Sequence, residues 1–484
     1  ERVLVLTDIS NEPDDEQSLV RFLVYSNEYE VEGLVATTSQ HLRSKTREDL
    51  IRRQISAYSK VRDNLLIHSK NYPRPNDLLV ANELPSQVDV AIIGSGYTGL
   101  NCASVLAEAG RSVAVMDQHT IGWGASSRNG GMATPGLKQD IFKINKSYGT
   151  DYAREFWKSS VDAIDLLETI IQENEIDCDW ERNGHCALAY KQSHFDELPE
   201  YVNWLKKEMG HDKTIVPKEE LKSEIGTHAY FGGLADESSA GLHPAKYVYG
   251  LAKAVAARGV ILCENSKVSS IQKEPNGFEV TADQGTIMAK DVVIATNGYT
   301  DMLIPKLKPK VFPVGSYIIV SEPLPKDLQD RLSPKRRMFY DSKNFLNYFR
   351  LTPDGRMLWG GRNDLSTNLD LNESASILKK QVCTVFPELN DVKFTHSWTG
   401  KLGITFDLMP HIGQTNGIHY ALGYGGHGLS IATYLGTELG LLMTGQKDRS
   451  PYEEISHQTM FFYKKDPWFL PFAAKYFRFL DWIS

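Results

Sequence analysis

The apolar positions change period several times along the chain. RVLVLTD at 2–8 is a short continuous β-branched and aliphatic run, and 12–28 carries apolar residues at helical spacing. EGLVATTS at 32–39 predicts a second strand and 46–68 a second amphipathic helix, giving a small β-α-β-α unit over 1–75. The stretch 71–87 is rich in Pro and Asn, and we take 76–85 as a linker. The pattern then restarts. VDVAII at 88–93 predicts a strand, a helix follows to about Ala109, and SVAVMD predicts a strand ending at Asp117. Helices are expected at 149–175, 196–209 and 247–259, and short strands joined by hairpin turns across 260–298. Alternating strands at 312–321, 345–351 and 356–361 precede a strand-rich region, 394–424, and a helix at 427–444. The order is that of an α/β chain with more than one domain.

Composition narrows the partners. The 484 residues carry a formal charge of −8, and no Lys/Arg run approaches a nucleic-acid footprint. No apolar stretch reaches the roughly 18 residues of a membrane span. The five cysteines, Cys102, Cys178, Cys186, Cys263 and Cys383, are scattered and odd in number. That pattern fits free thiols in a reducing compartment, so a cytoplasmic protein is expected. The oligomeric state is left open.

The chemistry begins at the restart. Gly94-Ser95-Gly96-Tyr97-Thr98-Gly99 follows a strand and opens a helix, and Asp117 ends the next strand, followed by Gln118. Glycines permit a tight turn and close approach to a pyrophosphate, the helix N-terminus faces the phosphates, and the carboxylate accepts ribose hydroxyls. This fingerprint leaves NAD and FAD both open, and a bare β-α turn is the alternative. Gly124-Ala125-Ser126-Ser127-Arg128-Asn129-Gly130-Gly131 comes next, with small residues for backbone approach and hydroxyl and guanidinium donors for phosphate. Val268 and Ala295-Thr296-Asn297-Gly298 supply further backbone near a nucleotide. Gly425-Gly426-His427-Gly428-Leu429 closes the set as a glycine knot opening another helix, whose N-terminus favours negative charge.

In this order the four stretches resemble the D-amino-acid-oxidase-like superfamily of FAD-dependent amine oxidoreductases, over about residues 85–484. Within it the chain is most similar to the gamma-glutamylputrescine oxidoreductase group, through GYTGL (96–100), IGWGASSRNGG (121–131), GLHPAKY (241–247), HSWTGKLG (396–403) and GYGGHG (423–428). The resemblance implies an FAD-binding Rossmann-like domain at 86–140, 240–305 and 396–446. It also implies a sheet-based α+β substrate domain at 141–239 and 306–395. It implies oxidation of an amine by hydride transfer to the flavin, and oxygen or another carrier as electron acceptor.

Two departures narrow the substrate. Relatives that oxidise glycine-like amino acids carry an arginine for the α-carboxylate where Leu402 stands here, and sarcosine oxidases attach FAD through a cysteine where Gly400 stands. An amine substrate and non-covalent FAD are therefore expected; a flavin dehydrogenase or a glycine-type oxidase is the alternative. Tyr348 and Arg350 are candidates to line the substrate cavity, Arg350 meeting a distal carboxylate, with a surface ladder as the alternative. His427 is expected at the flavin's pyrimidine edge, with a helix-capping role as the alternative. Trp398 and Tyr424 are expected in an aromatic wall beside the ring, with plain core packing as the alternative.

The C-terminal DPWFLPFAAKYFRFLDWIS (466–484) is expected to pack on the enzyme rather than on a membrane surface. The prefix TDISNEPDDEQSL (7–19) resembles the opening of nucleoside-hydrolase-like proteins, in which acidic residues bind calcium. Asp8, Asp14 and Asp15 match that cluster, although acidic residues in a helix's first turn also complement its dipole. A truncated fusion remnant is the preferred reading. A calcium-dependent hydrolase or sugar-binding module is the alternative of a different class.

Overall fold

A computed structural model describes residues 2–7, 13–36, 48–73, 84–361 and 364–483, and the chain forms two compact units. In the first unit the strands Arg2–Thr7 and Glu30–Ala36 pair in parallel, with the helix Pro13–Val24 between them in sequence. Leu19 and Leu23, one turn apart on that helix, pack with Leu50, Ile51, Ile55 and Tyr58 of the helix Glu48–Leu65. The Tyr72 hydroxyl donates to the Val24 carbonyl at 2.9 Å and closes the unit. The expected linker lies almost entirely outside the described residues. So does Asp8, and only the backbone is described at Asp14 and Asp15.

The second unit contains two large sheets. In the first, the strand Gln87–Ile93 lies between Val113–Met116 and Gly285–Ile294, parallel to both, and Ile418–Leu422 adds in parallel beyond Gly285–Ile294. Near-continuous apolar runs such as VDVAII suit these positions, because helices cover a parallel sheet. The helices Tyr97–Glu108 and Gly428–Thr444 pack closely. A Cβ on Gly436 would lie 2.4 Å from the Thr98 carbonyl oxygen, so a larger residue there would force them apart. An antiparallel meander, Val268–Glu274, Gly277–Ala282 and Gly285–Ile294, extends the sheet on one side.

The second sheet runs, strand by strand, Phe394–Ile404, Phe312–Pro323, Arg356–Gly361, Asn347–Leu351, Met338–Asp341, His185–Leu188, Gly232–Asp236 and Thr214–Pro217. The strand Phe394–Ile404, expected from residue 396 on the FAD side, belongs here: it pairs antiparallel with Phe312–Pro323 along its length. One face of this sheet is core. Phe349 stacks on Trp359 with centroids 4.3 Å apart, and Phe339, Phe386, Leu378 and Val382 pack around them. Leu378 and Val382 come from the helix Leu371–Val385, started by Asp370, whose carboxylate accepts the N–H groups of Asn372 and Glu373. The other face carries Ser316, Tyr348 and Tyr340, one per strand by the period-two alternation, and forms the floor of the cavity described next. From the C-terminal segment, Tyr463, Leu470 and Ala474 pack with Phe312, Val314 and Ile404.

Candidate active site

The strands ending at Ile93, Met116, Ile294 and Leu422 are parallel, so their carboxyl ends meet at one sheet edge, where open α/β sheets bind ligands. The four glycine- and asparagine-bearing stretches of the sequence leave from these ends or lie beside them. The Asp117 carboxylate accepts the N–H and hydroxyl of Ser95 at 3.0 and 2.7 Å, which ties the first loop to the second strand. The Asn297 side-chain oxygen accepts the Gly423 N–H at 2.9 Å, and Thr98 meets the Tyr424 hydroxyl at 2.5 Å. Ser126 accepts the Tyr97 N–H at 3.1 Å. Segments far apart in sequence are thus braced around one cavity.

That cavity, of about 490 Å³, is bounded by the sheet edge and the floor of the second sheet. Of the residues expected to meet a nucleotide or substrate, it is lined by Gly94, Gly96, Tyr97, Thr98, Asp117, Gln118, Gly124, Ala125, Ser126, Arg128, Asn129, Gly130, Val268, Ala295, Thr296, Asn297, Tyr348, Gly400, Leu402, Gly425, Gly426, His427, Gly428 and Leu429. Ser95, Gly99, Ser127, Gly131 and Gly298, also expected at the nucleotide, are not among the lining residues. Gly99 sits where a Cβ would fall 2.0 Å from the Gly94 carbonyl oxygen, and Gly94 itself has φ +108°. Each is a position only glycine fills without moving the turn.

Two expectations need correction. Arg350 does not line the cavity. It is buried, and its guanidinium donates to the carbonyls of Gly130 and Leu242. Trp398 is not a wall of the cavity either: its indole N–H donates to the Arg128 carbonyl at 2.8 Å while its ring packs with Ile318, Val320 and Leu358. Both brace the loop 122–131 from outside, because that loop's carbonyls, unpaired by any sheet, need donors.

Sequence reasoning missed the far end of the cavity. There Trp157 and Tyr201, on helices, and Lys213, just before the strand Thr214–Pro217, join Tyr340 on the floor. The Lys213 ammonium lies 3.2 Å from the Asp236 carboxylate, and His211 approaches the same oxygen at 2.9 Å. Burial lowers the Lys213 pKa against the opposing pull of Asp236. Burial alone would push the Asp236 carboxyl up, but the His211 hydrogen bond and the Lys213 charge outweigh it and hold it well below the usual carboxylate range. No short motif marks these residues; only pairing between distant strands brings them together.

Residues 89–440 match the FAD dependent oxidoreductase family. The chain belongs to that family. It is 34% identical to the probable oxidoreductase OrdL of Haemophilus influenzae over 75% of this chain and 84% of that protein. Identity to the gamma-glutamylputrescine oxidoreductase of Escherichia coli is 33%, again over 75% and 84%. The glycine oxidase of Geobacillus kaustophilus shares the fold, with a TM-score of 0.66 at 20% identity over 77% of this chain and 100% of that one. The family match leaves the first unit outside it.

The cavity fits FAD. The helix N-termini at Tyr97 and Gly428 face it; Ser126 takes the Tyr97 N–H, and at Gly428 no side chain caps the helix. Uncapped first-turn N–H groups and the helix dipole suit a pyrophosphate or a negatively charged ring edge. Beyond the Ser95 N–H and hydroxyl on Oδ2 and the His119 N–H on Oδ1, Asp117 keeps acceptor capacity on Oδ1 for a ribose hydroxyl. Among the described residues, no helix is long and apolar enough to cross a membrane.

Proposed function

We propose that this family member oxidises a primary or secondary amine of the gamma-glutamylputrescine kind, with FAD bound without a covalent link. The carrying observation is the wall at Gly400 and Leu402. Both line the cavity, and neither offers the guanidinium that an α-carboxylate beside the reacting carbon would need. Gly400 likewise offers no sulfur for attachment. The similarity to the gamma-glutamylputrescine oxidoreductase of Escherichia coli supports the same reading.

When bound, FAD supplies the acceptor for the hydride leaving the amine-bearing carbon and passes the electron pair to oxygen, giving hydrogen peroxide. The chain's own residues bind and orient. Gly94, Gly96, Asp117, Gln118 and Val268 hold the nucleotide half; the segment 124–130, with Ala295 to Asn297, holds the middle. Gly425 to Leu429 place an uncapped helix N-terminus where negative charge develops, with His427 at its start. Tyr348, fixed by a 3.0 Å hydrogen bond between its hydroxyl and Ser316, walls the substrate space. The resulting imine hydrolyses in water to an aldehyde and ammonia from a primary amine, or an aldehyde and the smaller primary amine from a secondary one. In this reading the FAD domain is 86–140, 240–305 and 396–446, and the strand from 394 forms the wall it shares with the substrate sheet.

The purified protein is expected to carry a visible flavin spectrum that gamma-glutamylputrescine bleaches without oxygen, and to release peroxide in air. Glycine and sarcosine are expected to bleach it far more slowly. A protein that neither carries flavin nor takes up added FAD overturns the reading. Bleaching by the amine without peroxide in air moves the proposal from oxidase to dehydrogenase.

A further inference from the structure

The floor of the cavity ends in a charge that the amine chemistry does not use. Tyr348 and Tyr340 stand directly opposite one another on neighbouring strands. Tyr340 is opposite Ala187, Ala187 opposite Leu234, and Leu234 opposite Ile215. By the period-two rule His185, Asp236 and Lys213 share that face with them. The row runs from Tyr348, near Gly130 and Ser316, to the Lys213–Asp236 pair at the sheet's edge.

The Lys213 side chain is 4% exposed, yet the residue lines the cavity. Its ammonium lies 5.4 Å from the Trp157 ring centre and 5.8 Å from that of Tyr201. An ammonium has three donors, and among the described residues it meets one carboxylate oxygen, which it shares with His211 Nε2. The other Asp236 oxygen accepts the N–H and hydroxyl of Ser238. The carboxylate is therefore spread over several donors, and a second anionic acceptor on the cavity side would complete the shell of Lys213 with charge-assisted hydrogen bonds. His185 lies behind, its Nδ1 at 2.6 Å from the Ser239 hydroxyl and its Nε2 at 3.2 Å from the Tyr340 hydroxyl, so it is engaged on both sides.

We propose that Lys213, framed by Trp157, Tyr201 and Tyr340, anchors a carboxylate at the end of the substrate remote from the oxidised amine. The inference rests on the amine reading of the site and names its substrate class: an extended ω-amino chain ending in a carboxylate. Length supports it. The strand of Asp236 is three strand spacings from that of Tyr348, about 14 Å at the usual spacing. A two-carbon amino acid cannot reach both, whereas a chain several times longer can. The absence of a guanidinium at Leu402 and the presence of Lys213 then express one specificity, with the carboxylate accepted far from the reacting carbon rather than next to it.

The test uses the FAD-loaded protein and two ligands without the reactive amine, γ-glutamyl-n-propylamide and its α-carboxamide. Binding is followed by tryptophan fluorescence, which Trp157 makes sensitive to this corner. Wild type is expected to bind the carboxylate about tenfold to a hundredfold tighter than the carboxamide. In Lys213→Met that ratio is expected to fall towards one, and in Lys213→Arg to persist in part. Equal binding of both ligands by wild type overturns the proposal without any variant, as does a preference that survives Lys213→Met. Tighter binding of the carboxamide would mean that the aromatic pair receives a neutral or cationic group, and also overturns it. The outcomes separate the two claims. A carboxylate preference without flavin bleaching by gamma-glutamylputrescine defeats the amine reading alone; bleaching without the preference defeats Lys213 alone.

Discussion

The Arg350 Nε donates to the Gly130 carbonyl at 3.0 Å, and its Nη2 reaches the Leu242 carbonyl, so this guanidinium fastens the loop that lines the cavity. Gly131 and Gly241 leave room for it: a Cβ on either would fall 2.7 Å from an Arg350 nitrogen. Arg350→Met removes both donors and leaves two buried carbonyls unpaired, a loss of about 3 kcal/mol. Thermal unfolding is expected to shift down and flavin content to fall, because Gly130 borders the cavity. The relative rates with charged and neutral amines should stay the same. A selective loss of activity towards carboxylate-bearing amines would instead put Arg350 on the substrate.

Tyr348 is positioned by an absence. Gly360, opposite it on the next strand, has no side chain, and a Cβ there would lie 2.1 Å from the ring carbon Cζ. Gly360→Ala must push the ring off its place and break its hydroxyl contact with Ser316. The expected result is a fall in kcat/KM of about tenfold, with flavin still bound, measured by stopped-flow flavin reduction. Unchanged kinetics in a folded Gly360→Ala would remove Tyr348 from the substrate wall.

Two buried histidines set an acid limit on stability. Burial, aided by the Lys213 charge, lowers the His185 pKa from 6.5 to about 3. Burial, aided by the stacked His411 ring at 4.0 Å, does the same for His457. Between these values the unfolded chain binds protons that the folded one refuses. Stability therefore falls as pH drops below 6.5, by about 1.4 kcal/mol per pH unit for each histidine, until the folded values are reached. Urea midpoints taken from neutral pH down to about pH 5 should show the slope, and His185→Gln should about halve it, leaving the His457 share. A flat profile would mean that these rings are protonated in the native state.

The sequence carried the nucleotide half of the site because its signals are local. A turn that brings Gly99 against Gly94 must be written as glycine within six residues, and helix openings at Tyr97 and Gly428 follow glycines in plain view. The helix Leu371–Val385 was legible as well, through Asp370 and Glu373 at capping spacing, but was not among the expected elements. The roles of Arg350 and Trp398 were not legible. Alternation gives the face of a strand, whereas which backbone carbonyl a long polar side chain meets is decided by a loop more than two hundred residues away. Lys213 lay deeper still, since Asp236 comes from another strand and Trp157 and Tyr201 from two separate helices.

Thiol chemistry offers a check on packing. Cys102, Cys178, Cys186 and Cys263 are buried, and burial raises the thiols of Cys102, Cys178 and Cys186 to about 12 and that of Cys263 to about 11. Only Cys383 is partly exposed. A thiol reagent at neutral pH is expected to label one cysteine quickly in the native protein and all five after denaturation, since the thiolate is the reacting form. Rapid native labelling of Cys102 would mean that the helix Tyr97–Glu108 does not pack as described.

Leu402 provides the most direct test of substrate choice. It stands on the strand Phe394–Ile404 opposite Val314, lines the cavity, and packs against the cluster of Phe312, Val314 and Ile404. In Leu402→Arg the aliphatic stem can keep that packing while the guanidinium extends into the cavity. There it would offer a bidentate partner for a carboxylate beside the reacting carbon. The ratio of kcat/KM for glycine or sarcosine over gamma-glutamylputrescine is expected to rise by about tenfold or more, read as anaerobic flavin reduction. The two substrates move in opposite directions, so a general loss of fold or flavin cannot imitate the result. A variant that binds flavin normally and leaves the ratio unchanged would show that this wall does not select between the two carboxylate positions.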